Sequence, residues 1–303
     1  MMIKKIFKIL FGITFLFAFG CNNQTQENYV PEFSKTAPRQ IQEYIFGVHP
    51  LHNPKRLQEI FGPLTDYLSE KIPNAIFRLE ASRNYASYDE KLYAGKFHFA
   101  LPNPYQTVNS LKHGYSVFGK MGDDENFCGI IIVLKNGNIK TIEDLKGKAV
   151  SFPAPTALAA TMMPQYYMQM HGIDVMKDID IKYVGSQESS IMNVFYGNTV
   201  AATTWPPPWN AFIKEHPEIA QKLEVKWTTK HLINNGLVVR NDVPLEVVKQ
   251  VEEIFFNLHT HEKGKFWLKR MELSKFESAN NQSYKIVTDY LEGFNTKVRP
   301  IVY

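Results

Sequence analysis

Short apolar runs alternate along this chain with longer stretches whose apolar residues recur every third or fourth position. That pattern predicts strands alternating with amphipathic helices. Residues 44–48 form the first predicted strand. Asn53-Pro54 then caps and opens a helix whose Leu57, Ile60, Phe61, Leu64 and Leu68 share one face, with Pro63 predicting a kink or a restart. A strand over 75–79, a short helix over 88–93 ended by Gly95, and a strand over 97–101 stopped by Pro102-Asn103-Pro104 follow. A helix is expected over 105–113, and the uninterrupted apolar run 128–134 (CGIIIVL) has the composition of a strand buried on both faces.

The second half repeats the alternation. Strands are predicted over 179–184, 200–204, 223–227 and 236–240. A turn at Gly185-Ser186-Gln187 leads into a helix that ends by Gly197. Trp205-Pro206-Pro207-Pro208-Trp209 should break the chain sharply as a rigid turn. From Pro244 onward the pattern is helical, with Val247, Val248, Val251, Ile254 and Phe255 on one face. The alternation argues for an α/β protein with two mostly parallel sheets.

The segment 141–172 is the most informative. Thr141 and Asp144 form a capping-box pair, and Gly147 ends the short helix they open. A strand is predicted over 148–152, then a turn stiffened by Pro153 and Pro155, then a long helix with Thr156 as its N-cap. A strand that feeds a helix N-terminus is a ready anion site, because the first backbone N–H groups lack intrahelical acceptors.

The chain's start changes the picture of charge and compartment. Lys4, Lys5 and Lys8 precede an apolar run over 9–19, and Gly20-Cys21 follows. The run is too short to span a bilayer as a helix. It resembles a bacterial lipoprotein signal with Ala18-Phe19-Gly20-Cys21 as the lipobox, which implies a lipid on Cys21; an ordinary cleaved signal peptide is the alternative. Residues 22–40 are polar, Pro-containing and without periodicity, as expected of a tether. The chain carries 34 Lys+Arg against 30 Asp+Glu, but removing three signal lysines leaves a balance near neutrality. The basic character therefore gives no argument for nucleic acid. Cys128 would then be the one remaining thiol, in an apolar run that predicts burial, so no disulfide within the mature chain is expected.

Little in the sequence suggests catalysis. No Gly-x-Ser-x-Gly, P-loop or dinucleotide-binding fingerprint is present. His49 with His52, and His259 with His261, lie close in sequence, but a metal site needs three or four convergent ligands, so solvated or capping histidines are expected. Tyr85, Tyr88 and Tyr105 are candidate cleft aromatics or lobe-packing residues, and Trp205 and Trp209 either pack beneath their turn or contact ligand.

Several blocks, in order, resemble the phosphonate-, phosphite- and phosphate-binding proteins of ABC importers, the PhnD-like family. They are Phe46-Gly47-Val48-His49-Pro50 with the helix after it, Asn84-Tyr85 in place of Asp-Tyr, and Phe99-Ala100 with Asn103-Pro104-Tyr105. The block 142–148 (IEDLKGK), Pro164-Gln165-Tyr166-Tyr167, Gly172-Ile173-Asp174 and the helical stretch 244–258 complete the set. The resemblance implies a two-lobed type II periplasmic-binding fold with a ligand cleft between the lobes. Residues 1–20 would be the signal, 21–40 the tether, 41–130 with 236–303 the first lobe, and 131–235 the second, with crossings at 128–134 and 236–240.

The departures from that family bear on the ligand. Its phosphonate binders carry Ser-Thr-Ser-Gly at the second-lobe helix start, where this chain has Thr156-Ala157-Leu158-Ala159. The family's His corresponds to Gln187, and its acidic residue after the next helix corresponds to Val200. Each lost neutral hydrogen bond removes roughly 0.5–1.5 kcal/mol. The expectation is therefore a lipid-anchored, non-enzymatic solute receptor, working as a monomer without cofactor or metal and serving an ABC permease. It should prefer a larger, less polar ligand with one anionic group over a bare phosphonate. Thr156 with the amides of Ala157 and Leu158 would hold the anion, Tyr85 and Tyr105 would contribute from the first lobe, and Gln187 and Trp205 from the second. A receptor presenting its ligand to a signalling kinase, and a fold repurposed for thiamine-precursor synthesis, are the alternatives.

Overall fold

The computed structural model describes residues 41–301; the expected signal, tether and Cys21 lie outside them. The first lobe opens with β1 (Gln42–Val48), α1 (Pro54–Lys71), β2 (Ala75–Ala81), α2 (Tyr85–Tyr93), β3 (Phe99–Leu101), α3 (Pro104–Ser110) and β4 (Tyr115–Met121). The second lobe holds β5 (Ile130–Leu134), β6 (Lys148–Phe152), a π-helical turn (Leu158–Met162) continuing as α4 (Met163–Met170), β7 (Ile179–Tyr183), α5 (Gln187–Phe195), β8 (Ala201–Thr204), α6 (Pro206–Glu215), α7 (Pro217–Ala220) and β9 (Leu223–Thr228). The chain returns through β10 (Gly236–Arg240) to α8 (Leu245–Asn257), α9 (Glu262–Arg270), β11 (Phe276–Glu277) and α10 (Lys285–Lys297).

The strands form two sheets, ordered β11-β4-β10-β3-β1-β2 and β7-β6-β8-β5-β9. They are mixed rather than mostly parallel. β1 runs parallel to β2 and β3, and β6 to β7 and β8. The two strands that follow the crossings, β10 and β5, each enter a sheet from the opposite direction and pair antiparallel on both sides. Periodicity reports a strand's burial but not its direction, so the sequence could not show this. β4 was not predicted because Gly119-Lys120 interrupts its apolar pattern. Lys120 is nonetheless 7 % exposed, with its ammonium 2.8 Å from Asp124 and 2.6 Å from Glu277.

Three proline expectations change. α1 runs through Pro63 without a break. Trp205 to Trp209 is not a free-standing turn: Pro206, Pro207 and Pro208 open α6, where first-turn N–H groups have no intrahelical acceptor and their loss costs little. The helical segment after Pro155 is capped by Ala157 rather than Thr156, with no side-chain cap bond. The capping box at Thr141 and Asp144 is present as expected.

Two connecting segments join the lobes and hydrogen-bond to each other. Thr229 N donates to Gly129 O at 2.9 Å, Gly129 N donates to Thr229 Oγ1 at 2.9 Å, and Leu232 N donates to Phe127 O at 3.0 Å. Gly129 is required by close packing: a methyl there would stand 2.5 Å from Ala159 O and 2.6 Å from the Pro164 ring. Cys128 is buried beside it as a free thiol, with its pKa raised by burial. Among the described residues, no helix is long and apolar enough to cross a membrane.

Candidate functional site

The cleft lies where the C-terminal ends of β1, β6 and β8 face each other. In the first lobe, Val48 passes directly into His49, which is 2 % exposed and has Nδ1 2.8 Å from Leu101 O. Burial lowers its pKa to about 4, so at neutral pH it brings no positive charge. Asn84 caps α2 by accepting from Ser87 N at 2.9 Å, a task the family's Asp could also perform. This places Tyr85 at the first helical position, 3 % exposed and aimed at the second lobe.

On the second lobe, β8 delivers Thr204 and Trp205, and Ser186 caps α5 so that Gln187 begins it. Thr204 Oγ1 donates to Gln187 Oε1 at 2.7 Å, and Gln187 Nε2 donates across the cleft to Tyr85 Oη at 3.1 Å. The relay fixes the orientation of the Gln187 amide. Tyr85 accepts from Gln187, so its own proton is available to donate. Burial raises the Tyr85 pKa strongly, and the bond from Gln187 only partly offsets this, so the phenol stays protonated.

His49, Tyr85, Gln187 and Trp205 surround a small central void, lined also by Asn103, Phe127, the stretch 157–160 and Asn235. Its volume is about 10 Å³, at the lower limit for one water. Trp205 is 2 % exposed and meets Phe127 edge-on at 5.5 Å, and Leu158 is 1 % exposed. Asn235 is fully buried, with Nδ2 3.3 Å from Met121 Sδ and no partner for Oδ1. Among the described residues, no carboxylate, lysine or arginine lines this centre.

Thr156, Ala157 and Leu158, the residues expected to hold an anion, divide between two compartments: Ala157 and Leu158 line the centre, and Thr156 lines the groove beside it. Ala157 N already donates to Ala154 O at 3.2 Å. Leu158, Ala159 and Ala160 carry the amides that open the helical segment, where N–H groups lack intrahelical acceptors. Thr156 lies outside the centre, its Oγ1 donating to Asp89 Oδ2 at 3.3 Å and its carbonyl accepting from Asn103 Nδ2 at 3.0 Å. Val200 is not a cleft position. It sits at the opposite end of β8, its N–H bonded to Ala149 O, about 16 Å along the strand from Trp205.

Beside the centre runs a larger groove of about 830 Å³ between the lobes. Tyr85, Asp89, Tyr93 and Tyr105 line it from the first lobe, and Pro153 to Thr156 and Tyr183 from the second. Tyr105 thus belongs to the groove and not to the centre. Asp89 was not singled out from sequence, although it lies four residues after Tyr85 on the same helical face. Gln106 Nε2 donates to its Oδ1 at 2.5 Å. Burial raises the Asp89 pKa to about 6 against the lowering effect of the Gln106 and Thr156 bonds.

Among the described residues no group of three or more His, Cys, Asp or Glu is placed to hold a metal. His261 caps α9 by accepting from Gly264 N at 3.0 Å. His52 stands beside Arg56, and burial, with that charge and His49, lowers its pKa to about 3.

The profile of a family described as the periplasmic substrate-binding protein of an ABC phosphonate transporter matches residues 46–284. No curated protein matches the chain. Among solved structures, a binding-protein component of an ABC phosphonate transporter from Pseudomonas aeruginosa superposes with a TM-score of 0.77 at 17 % identity, over 84 % of this chain and 87 % of the other. PhnD1 from Prochlorococcus marinus in complex with methylphosphonate gives 0.75 at 19 % identity, over 87 % and 100 %. The alkanesulfonate-binding protein SsuA from Xanthomonas axonopodis bound to MOPS gives 0.61 at 12 % identity, over 86 % and 95 %. The fold is the two-lobed type II periplasmic-binding fold, and the chain belongs to the family of periplasmic substrate-binding proteins of ABC phosphonate transporters.

Proposed function

We propose that this protein is a lipid-anchored receptor that captures a small organic oxyanion between its lobes and delivers it to an ABC permease. The observation that carries this reading is the relay from Thr204 through Gln187 to Tyr85, which crosses the cleft and ends in a phenolic proton at the central void. Leu158, Ala159 and Ala160, whose amides begin the helical segment, line the same void. Neutral donors converging from both lobes suit an anion, and an anion bridging them favours the closed state over the open one. His49 is uncharged there, so recognition rests on hydrogen bonds and the helix-end dipole rather than on ion pairing.

Leu158 and Trp205 fill space that a polar site would leave open. The groove of about 830 Å³ beside them has room for an apolar body, which supports a ligand with one anionic group and a larger, less polar body, over 2-aminoethylphosphonate or a bare phosphonate. Calorimetry on refolded, ligand-stripped protein with methylphosphonate, phenylphosphonate, methanesulfonate and 2-aminoethylphosphonate tests the reading. Phenylphosphonate should bind the tightest of the four. Submicromolar binding of 2-aminoethylphosphonate would overturn the ligand preference, and binding of none would overturn the oxyanion reading.

The anchor rests on Gly20-Cys21 after an apolar run. Cys21→Ser should release the protein from the membrane fraction, and persistent detergent-dependent fractionation of that variant would count against the anchor.

A further inference from the structure

The central void and the groove are continuous in sequence on both walls. Tyr85 lines both, with Asp89 one helical turn on along the groove. On the second lobe, Ala157 belongs to the void, and Thr156 and Pro155 belong to the groove. Thr156 lies two residues back from Leu158, at most about 7 Å along the chain. The Thr156 hydroxyl is itself 3.3 Å from the Asp89 carboxylate. At about 10 Å³ the void has room for one water, so an oxyanion head enters it only as the lobes part, whereas the groove, at about 830 Å³, lies within the range of sites that enclose whole small molecules.

The groove's chemistry differs from that of the void. Tyr85, Tyr93, Tyr105 and Tyr183 bring aromatic rings, and Pro153 and Pro155 add rigid apolar wall. Two carboxylates, Asp89 and Glu90, line it against one ammonium, Lys112, and the His113 ring stacks on Tyr93 at 4.7 Å. Among the described residues, each Asp89 oxygen accepts one hydrogen bond, and a carboxylate oxygen can accept two. A cation among tyrosine rings and carboxylates gains both ion pairing and cation–π attraction.

We infer that Asp89 and the tyrosine-lined groove read the far end of the ligand, selecting an organic oxyanion whose apolar or aromatic body ends in an ammonium group. This rests on the oxyanion reading above and specifies what lies beyond the anion. An ammonium that stays in the centre meets no carboxylate among the described residues lining it, whereas one carried into the groove on a longer body meets Asp89. Asp89 keeps its negative charge at neutral pH, since its pKa lies at about 6 and a neighbouring cation would lower it.

The test compares phenylphosphonate with 4-(aminomethyl)phenylphosphonate by calorimetry at pH 7.5, in wild type and in Asp89→Asn. The aminomethyl compound should bind wild type about tenfold more tightly or better, the worth of one charge-assisted hydrogen bond. In Asp89→Asn the ratio between the two ligands should fall to about threefold or less. Because the ratio is read within one variant, any effect of the substitution on folding or lobe closure cancels. Tyr183→Ala, at a side chain 41 % exposed and so tolerant of truncation, should weaken both aryl ligands severalfold. Equal wild-type affinities, or a ratio preserved in Asp89→Asn, would overturn this inference while leaving the oxyanion reading intact. Binding of neither compound would overturn both.

Discussion

The centre of the cleft and the groove beside it are built by the same elements, yet they are opposites in chemistry. The centre takes Tyr85 from α2 and the residues 157–160 from the second lobe; the groove takes Asp89 from that same helix and residues 153–156 from the same turn. The centre is packed by Trp205, Phe127 and Leu158, and its polar groups are neutral. The groove is open and carries charge. In a helix, a step of four residues moves a side chain one turn along one face, so Tyr85 and Asp89 can serve two adjoining compartments. The two compartments thus differ because residues one helical turn apart face different neighbours: Tyr85 meets the packed second-lobe residues, and Asp89 meets the open groove.

The comparison can be broken hardest at Trp205. If packing keeps the centre small, Trp205→Ala should destabilise the protein by about 3–5 kcal/mol in urea denaturation, the usual cost of emptying a buried aromatic site. A loss under about 1 kcal/mol would show that the centre is loosely filled.

Acid should expose the next difference. His49 and His52 have pKa values lowered to about 4 and about 3, against an ordinary value of 6.5. The unfolded chain therefore takes up protons first, and stability is lost as pH falls from about 6.5 through these lowered values. His49 alone accounts for roughly 3 kcal/mol of this. Thermal melts from pH 7 to pH 4 should show a steep fall, and His49→Gln should flatten it.

Asp89 has the opposite sign. Its folded pKa of about 6 exceeds the ordinary 3.8, so the folded state binds the extra proton and the ionised carboxylate costs stability above about pH 6. Asp89→Asn should raise stability at pH 7.5 by about 1–2 kcal/mol, after allowance for screening of a partly exposed group. The gain should vanish below the ordinary carboxylate range. A gain that is the same at pH 3.5 and pH 7.5 would mean the effect is steric.

The smallest effect tests the relay that joins the lobes. Gln187→Ala removes one neutral hydrogen bond to Tyr85 and one from Thr204. Binding of phenylphosphonate should weaken by about 1–2 kcal/mol, or roughly tenfold. Tyr85→Phe should weaken it by at least as much, because the donated proton itself is lost. A normal affinity in Tyr85→Phe would remove the phenol from the anion site.

The sequence by itself determined the element order in most places, the start of α1 at Asn53-Pro54, the capping box at Thr141 and the strand Lys148–Phe152, because caps, turns and apolar runs act between neighbouring residues. It also carried the family blocks, and with them the two lobes and the cleft. It named Tyr85, Gln187 and Trp205 as candidate ligand contacts, and in the structure these three line the central void. It did not give the antiparallel entry of β5 and β10, or the helix that begins on three prolines. It took Thr156 for a cap and Val200 for a cleft residue, because sequence offsets do not report which end of a strand faces the other lobe. The company of Asp89 belongs to the tertiary structure: Gln106, 17 residues away, joins it within the first lobe, and Thr156, 67 residues away, joins it from the second. Local chemistry writes the elements of this protein, whereas contacts between residues distant in sequence divide its cleft into a packed neutral centre and an open charged groove.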